Sequence, residues 1–446
     1  MSEKSPNTYS FNDKMNSPDD GVFCILPFVH MYIHSSEKPK VCCTFSQYGL
    51  NDETVKKERN LAEEWTSDYY RDIRIDILKG KKVEGCVRCY RGESNGGSSD
   101  RIVFNDRYKE ILKQQNLDVI LNIDTGNQFK SPLDLDLRPG NLCNLACRMC
   151  GPSSSTQLNK EYKKMPKTFS FEPFNEDLQS HWATSDNLEF ILKHADKGKR
   201  IKFLGGEPTI MPEVHDILKL LIEKEMNTKV SLSFTSNLTN VNKNFLNIIK
   251  DFTHVDVNIS MDGIDKTLEY IRHPISWNQI QKNIITYSKI DSVAQHTNSF
   301  DIQFTMQAYN IHNILDTLIW MDDMNESGVL GSKKLIFSPE ILAYPNFYSY
   351  KMLPKKYRDK HIINILSSDV VNKKFATRSG KTLQRLDLML KDDTEDSPEP
   401  FIKHTVFYDM SRKQYMKNYL PELWEEYGDL YTKIREKVRN EMLGII

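Results

Sequence analysis

The sequence predicts an α/β protein, and three observations carry that prediction. Strand and helix signals alternate from Leu133 to about Pro339, the pattern of a parallel sheet with right-handed crossovers. A cysteine-bearing stretch with both strand-like and helical segments precedes this region, and a mainly helical pattern follows it. The expected division is a disordered tail at 1–20, a cysteine-rich α+β domain at 21–130, the strand–helix region at 131–342 and a mainly helical region at 343–446.

In chain order, Met1 to Asp20 are polar, with Pro, Asn, Ser and Asp, the composition of a mobile tail. The apolar run Gly21–His34 and the run Val41–Phe45 flank a polar turn and read as a hairpin. Trp65 to Leu78 reads as a helix with Trp65, Tyr69, Ile73 and Ile77 near one face, and 100–115 as a connecting helix. Six strands are expected at Leu133–Leu137, Arg200–Leu204, Lys229–Thr235, His254–Ser260, Ile302–Ala308 and Lys334–Ser338. Helices are expected at Glu213–Glu225, Lys243–Asp251, Trp277–Lys289 and Asn310–Met324. Lys163–His181 is an insertion of no assigned structure. Beyond Pro339, the aromatic run Tyr344–Tyr350 packs against the last strand or lines a substrate mouth, 391–400 is an acidic linker, and helices continue to Ile446.

Composition narrows the function classes. The 446 residues carry 60 basic and 61 acidic side chains, so no global field draws in a nucleic acid. The basic runs Lys197–Arg200 and Lys355–Arg358 read as solvated faces. No signal-peptide pattern opens the sequence, and no apolar run approaches the roughly 18 residues of a membrane span. A cytoplasmic protein of two or three domains is expected. In that reducing compartment eight cysteines point to metal or catalysis more than to disulfides.

The cysteines cluster. Arg138-Pro-Gly-Asn-Leu-Cys-Asn-Leu-Ala-Cys-Arg-Met-Cys-Gly-Pro152 holds Cys143, Cys147 and Cys150 in C-x3-C-x2-C spacing on a loop between a strand and a helix start at Ser153-Ser-Ser-Thr156. A structural zinc wants four protein ligands. A four-iron cluster normally takes one thiolate per iron, so three thiolates leave one iron open to a small molecule. A zinc knuckle completed from elsewhere is the alternative. A second set comprises Cys24, one of Cys42 or Cys43, and the C-x2-C pair Cys86 and Cys89. Neighbouring strand residues face opposite ways, so Cys42 and Cys43 do not easily both ligate. By ligand count zinc and cluster suit this set equally. The strand ends add polar groups. Phe203-Leu-Gly-Gly-Glu-Pro208 lets backbone approach a ligand and offers Glu207 to an ammonium group. Thr235-Ser-Asn237 and Ser260-Met-Asp-Gly263 offer groups that could bond a ribose, or simply cap the next helices. Gln307 could line the same space, and Met149, beside the last cysteine, could cover a ligand's base or simply pack.

On these residues the sequence resembles the radical S-adenosylmethionine (SAM) enzymes. The C-x3-C-x2-C loop is similar to their signature, and the six strand–helix units to their partial (β/α)6 TIM-like barrel, which binds ligands at the strands' C-terminal ends. The resemblance implies a 4Fe-4S cluster on Cys143, Cys147 and Cys150, with SAM on its open iron. SAM is then cleaved reductively to a 5'-deoxyadenosyl radical that abstracts hydrogen from a substrate. It also implies that Gly205, Gly206 and Glu207 meet the amino group of SAM, and that Ser236, Asn237, Ser260 and Asp262 belong to its pocket. Arg272 could pair with the SAM carboxylate, which a guanidinium fork suits, or form a surface ion pair. Phe23-Cys-Ile-Leu-Pro27, Val41-Cys-Cys43, the helix from Trp65, Cys86-x-x-Cys-Tyr90, Glu93 and Ser98-Ser-Asp-Arg101 look like the N-terminal region of twitch-domain-containing radical SAM proteins. That implies an auxiliary 4Fe-4S cluster on Cys24, Cys42, Cys86 and Cys89, suited to electron transfer, although such a domain usually follows the barrel rather than preceding it. A peptide, protein or small-molecule substrate and an electron donor such as flavodoxin or ferredoxin are the implied partners. The rival readings are a zinc-binding thiolate scaffold and a radical SAM enzyme acting on RNA.

Overall fold

A computed structural model describes residues 8–10, 14, 21–34, 39–46, 60–94, 99–114, 120–122, 131–169, 173–174, 182, 184–195, 200–342, 344–372 and 380–444. The chain folds as two compact units that follow packing rather than chain order. One comprises Met1–Gly140, Glu176–Leu204 and Lys219–Leu232; the other comprises Asn141–Asn175, Gly205–Leu218 and Ser233–Ile446.

The described strands are β1 (Thr8–Ser10), β2 (His30–His34), β3 (Ile120–Asn122), β4 (Asp134–Arg138), β5 (Arg200–Phe203), β6 (Ser231–Ser236), β7 (His254–Ser260), β8 (Ser299–Met306) and β9 (Lys334–Ile341). A seven-stranded sheet runs in the order β2-β4-β5-β6-β7-β8-β9. Its registered neighbours are parallel, for example β2 with β4 and β8 with β9. The six expected strands are all present, with ends shifted by up to three residues, and β2 is a seventh. The expected helices also form, at Pro212–Glu223, Lys243–Lys250, Trp277–Ser288 and Ile314–Glu326. The helix start read at Ser153–Thr156 leads into the helix Thr156–Tyr162, while helices at Ser185–Ala195 and Asp265–Ile271 were given no bounds in advance.

In the second unit β7 and β8 alternate strictly. Val255, Val257, Ile259, Phe300, Ile302, Phe304 and Met306 are buried, while the polar residues between them are half-buried. One face of the sheet thus packs and the other carries polar groups. The C-terminal helix Pro421–Met442 buries Leu423, Tyr427, Tyr431, Ile434 and Val438, a stripe at helical spacing, against the helix Glu399–Arg412. In the run from Tyr344, Phe347, Tyr348 and Tyr350 are buried and Tyr344 is exposed, so most of it packs.

Three expectations are corrected. The hairpin between 21–34 and 41–45 does not form. Pro27 sits in the first turn of a short helix, Leu26–Val29, where its missing N–H costs nothing. Only His30–His34 is extended, and it is buried on both faces, so it pairs with β4 in register from His30↔Asp134 to His34↔Arg138. One antiparallel bridge, Tyr32↔Lys40, links it to the following segment. The helix expected from Trp65 to Leu78 is two helices, Leu61–Trp65 and Asp68–Leu78, because Ser67 caps the second, its Oγ accepting from the N–H of Tyr70. Within the segment read as a tail, Thr8–Ser10 pair antiparallel with Ile120–Asn122; the rest of that segment, Lys14 apart, lies outside the described residues. Of the Lys163–His181 insertion, Lys167–Phe169 form a 3-10 turn.

The first unit holds a charge network that alternation did not reveal. Asp134 and Asp136 on β4 are buried. The Arg200 guanidinium forks Asp134, with Nε donating to Oδ1 at 2.9 Å and Nη2 to Oδ2 at 3.0 Å, and reaches Asp136 at 3.3 Å. His30 Nε2 lies 3.6 Å from Asp136 Oδ2. Among the described residues, His30, Asp134 and Asp136 are the group whose ligand atoms meet within 4.8 Å. Arg200 already supplies the balancing cation.

Candidate functional site

The three-cysteine loop belongs to the second unit and is held at both ends. Ser155 caps the helix Thr156–Tyr162 by accepting from the N–H of Leu158 at 3.0 Å, and its hydroxyl donates back to the carbonyl of Leu145 at 2.5 Å. The Thr156 N–H donates to the carbonyl of Asn141 at 2.9 Å. In mid-loop the N–H groups of Ala146 and Arg148 donate to the carbonyls of His273 and Ile271 at 2.6 and 2.8 Å. These bonds place the segment carrying Arg272 alongside the sulfurs.

The three thiols pack together. Cys143 and Cys147 are buried and cluster with Leu145, and Met149, Cys150 and Ile275 lean on them. Burial pushes the Cys147 thiol up to about 12 and outweighs the pull of Arg272; Cys143 rises too, through burial and then the neighbouring Cys147. Apposed sulfurs in an apolar pocket resist ionisation unless a positive centre joins them. The donors around them suit such a centre. The Leu145 N–H points at Cys143 Sγ at 3.4 Å, Asn237 Nδ2 lies 4.0 Å from the same sulfur, and Arg272 Nη1 lies 3.9 Å from Cys147 Sγ.

Gly206 and Glu207 abut this loop. The Glu207 N–H donates to the carbonyl of Leu142 at 2.8 Å. A β-carbon on Gly206 would meet that carbonyl, so glycine here serves contact with the loop. Gly205 adopts φ 125°, a conformation that L side chains rarely adopt. Glu207 is buried and its carboxylate accepts four hydrogen bonds: from the Thr209 N–H and hydroxyl at 3.2 and 2.5 Å, the Ser236 hydroxyl at 2.8 Å and the Asn237 N–H at 2.6 Å. Burial still raises its pKa against those donors. No Lys or Arg is among these partners, so an arriving ammonium group would relieve it.

Ser236 and Asn237 therefore close onto Glu207. The Asn237 amide also donates to Asn144 Oδ1 at 3.1 Å, and Asn144 Nδ2 to Thr239 Oγ1 at 2.8 Å; neither Asn144 nor Thr239 was anticipated. Asp262 is fully buried. Its Oδ2 accepts from Arg272 Nε at 2.7 Å and its Oδ1 from the Thr305 N–H at 2.8 Å. Burial lowers the Arg272 pKa, but Asp262 and Cys147 more than offset this and keep the guanidinium charged. Asp262 thus aims Arg272. Ser260 is half-buried at the end of β7. Gln307 is buried, with Nε2 3.4 Å from the carbonyl of Thr305 and Oε1 without a partner among the described residues.

The second cysteine set lies in the first unit. Cys24, Cys42, Cys86 and Cys89 line one cavity with Pro27, Phe45, Gly85 and Arg101, whereas Cys43 is exposed. Asn105 clamps the loop around Cys24, accepting from the Ile25 N–H at 2.8 Å and donating to the carbonyl of Phe23 at 2.9 Å. Gly85 admits the Phe45 ring, which a β-carbon would meet at 2.1 Å. Arg101 forks Glu93 at 2.9 and 2.6 Å. Burial, aided by the neighbouring sulfurs, pushes the Cys42 and Cys86 thiols up to about 12 and Cys24 well above the usual thiol value. Of Ser98–Arg101, Ser98 lies outside the described residues.

Neither set is drawn in as tightly as one metal ion requires. Among the described residues, no three of these sulfurs lie within 4.8 Å of one another. A tetrahedral zinc with Zn–S bonds of about 2.3 Å needs them about 3.8 Å apart. No described helix is long and apolar enough to cross a membrane.

Residues 137–315 match the family model of the Radical SAM superfamily. No curated protein matches the chain. Among solved structures the chain is similar to native anSMEcpe with bound AdoMet, at 18% identity and a TM-score of 0.36 over 55% of this chain and 62% of that one. It is also similar to Streptococcus suis SuiB bound to S-adenosylmethionine, at 15% identity and a TM-score of 0.33 over 70% and 60%. For SuiB bound to precursor peptide SuiA the values are 13% and 0.33 over 69% and 64%. The chain thus spans about three fifths of the length of these solved structures.

Proposed function

From the radical SAM enzyme domain at residues 137–315, we propose that this chain binds SAM beside a 4Fe-4S cluster and uses it to abstract hydrogen from a peptide, protein or small-molecule substrate. A 4Fe-4S cluster carrying SAM supplies one-electron reductive cleavage and, from it, a 5'-deoxyadenosyl radical. The observation that carries the reading is the meeting of three thiols of one loop with Arg272 and Asn237, beside the buried carboxylate of Glu207.

Each residue then has a physical task. Cys143, Cys147 and Cys150 hold the cluster and leave one iron for SAM. Glu207, buried with neutral partners, receives the SAM ammonium, and Gly205 and Gly206 let backbone close on it. Arg272, aimed by Asp262, faces the SAM carboxylate with a fork suited to it. Ser236 and Asn237 hold Glu207 in place, and Ser260 offers a hydroxyl to the nucleotide. Leu145, Met149 and Ile275 exclude water from the sulfurs, which strengthens every charge interaction there. In the first unit, Cys24, Cys42, Cys86 and Cys89 hold an auxiliary 4Fe-4S cluster in a twitch-like site. Four thiolates leave no open iron, so its role is electron transfer rather than substrate ligation. A flavodoxin or ferredoxin supplies the reducing electron.

The test is anaerobic reconstitution with iron and sulfide, followed by SAM and a reductant. The expected products are a brown protein and 5'-deoxyadenosine. A colourless protein that holds zinc, or a brown one that leaves SAM intact, would overturn the reading.

A further inference from the structure

The helix Glu399–Arg412 reaches the cysteine loop through Asp409. Arg148 stands between Cys147 and Cys150 and is fully buried. Its Nε donates to the carbonyl of Tyr270 at 2.8 Å and its Nη2 to Asp409 Oδ1 at 2.7 Å. The guanidinium lies 3.6 Å from the centre of the Tyr270 ring, a cation–π contact. Asp409, on the helix Glu399–Arg412, is fully buried as well. It also accepts from the Tyr270 hydroxyl at 2.7 Å, the Tyr431 hydroxyl at 3.0 Å and the Met416 N–H at 2.6 Å. Gln414 completes the ring, its Nε2 donating to the carbonyl of Glu269 at 2.9 Å.

This is an unusual place for a buried charge. Arg148 is one residue from Cys147 and two from Cys150, so any shift of its backbone moves both sulfurs. Its partners are Tyr270, two residues from Arg272, and Asp409 on a helix far along the chain, which Tyr431 of a second helix holds in turn. The same side chain therefore registers the sulfur loop against the Arg272 segment, reinforcing the backbone bonds to Ile271 and His273. A buried pair adds little net stability over an apolar replacement, while losing one partner strands the other charge. Its better use is to fix one geometry.

We propose that Arg148 is a positioning residue for the SAM-binding site. The helices Glu399–Arg412 and Pro421–Met442, acting through Asp409 and Tyr431, are the fixture that holds the sulfurs and Arg272 in register. This rests on the reading of Cys143, Cys147 and Cys150 given above.

The test uses the full chain, reconstituted anaerobically, with three readouts: the electron paramagnetic resonance signal of the reduced protein with and without SAM, SAM affinity, and thermal midpoint. Asp409→Asn is expected to weaken SAM binding by about tenfold, equivalent to about 1.4 kcal/mol, and to alter the SAM-responsive signal while sparing the auxiliary one. Tyr431→Phe, which removes one hydrogen bond and should fold normally, is expected to do the same by about twofold to threefold, a few tenths of that free energy. Arg148→Lys should retain more SAM affinity than Arg148→Met. Should Tyr431→Phe, and Asp409→Asn where it folds, keep normal affinity and signal while melting lower, Arg148 is merely structural and the proposal fails. The triple Cys143, Cys147 and Cys150 to Ala variant separates the two claims. If it still shows a SAM-responsive signal, the functional reading fails and this one with it. If it loses the signal while the Asp409 and Tyr431 variants keep it, only this proposal falls.

Discussion

A β-carbon on Gly206 would lie 2.2 Å from the carbonyl oxygen of Leu142, closer than any packed side chain tolerates. The glycine-rich strand end and the cysteine loop are thus fitted to each other before any ligand arrives. Gly206→Ala should push them apart, at a cost of about 1–3 kcal/mol for overpacking against backbone. Chemical denaturation measures that cost. SAM titration of the reconstituted protein should show weaker binding, because Glu207 hangs on the same contact.

Asp262 and Arg272 form a buried pair at 2.7 Å. Asp262→Ala leaves the guanidinium without its partner, and such losses cost about 3–5 kcal/mol. Arg272→Met leaves the carboxylate instead. Both variants should unfold earlier in denaturant than wild type, and Arg272→Met should also lose SAM affinity. Normal SAM binding by Arg272→Met would remove Arg272 from the pocket.

Cys42 lines the cavity with Cys24, Cys86 and Cys89, and Cys43 does not. Cys42→Ala should lower iron content after reconstitution, by up to half if each cluster carries the same number of irons. Cys43→Ala should leave it unchanged. Cys86→Ala with Cys89→Ala should keep SAM cleavage but slow substrate turnover; unchanged turnover would argue against electron relay. Iron assay and product analysis decide these points.

The network around Asp136 gives stability a pH window. For His30, burial lowers the pKa, but Asp136 outweighs it and the net shift is upward from 6.5. Its contribution is therefore full below pH 6.5 and fades as pH rises through the folded value. For Asp136, burial raises the pKa, but His30 and Arg200 outweigh it and hold it well below 3.8. That contribution is full above pH 3.8 and is lost as pH falls through the folded value. The pair stabilises most between these limits. His30→Gln should flatten the alkaline side of the profile, as read from thermal midpoints of the metal-free protein across pH.

Much of the fold was legible because its signals are local. His254–Ser260 reads as a strand from two-residue alternation alone, and the described strand has those same bounds. The spacing of Cys143, Cys147 and Cys150 carried the loop, and Gly205-Gly-Glu207 its neighbour. What stayed hidden depends on distant residues. No local pattern pairs His30 with Asp134, 104 positions on in the numbering. Alternation at 133–137 implies a solvated polar face, yet Asp134 and Asp136 are buried because Arg200 and His30 neutralise them. Glu207 was legible as a carboxylate at a strand end, but not as an acceptor for Ser236 and Asn237. Arg148 gave no sign, since a lone arginine in a loop has no periodicity and Asp409 is 261 residues away.

The extended segment His30–His34 lies between Cys24 and Cys42 in the chain and is zipped along its length to Asp134–Arg138. The sulfurs around it are consequently not a detachable cassette. Trimming the first forty-odd residues would bare β4 as an edge of the sheet, open to aggregation, rather than yield a smaller sound fold.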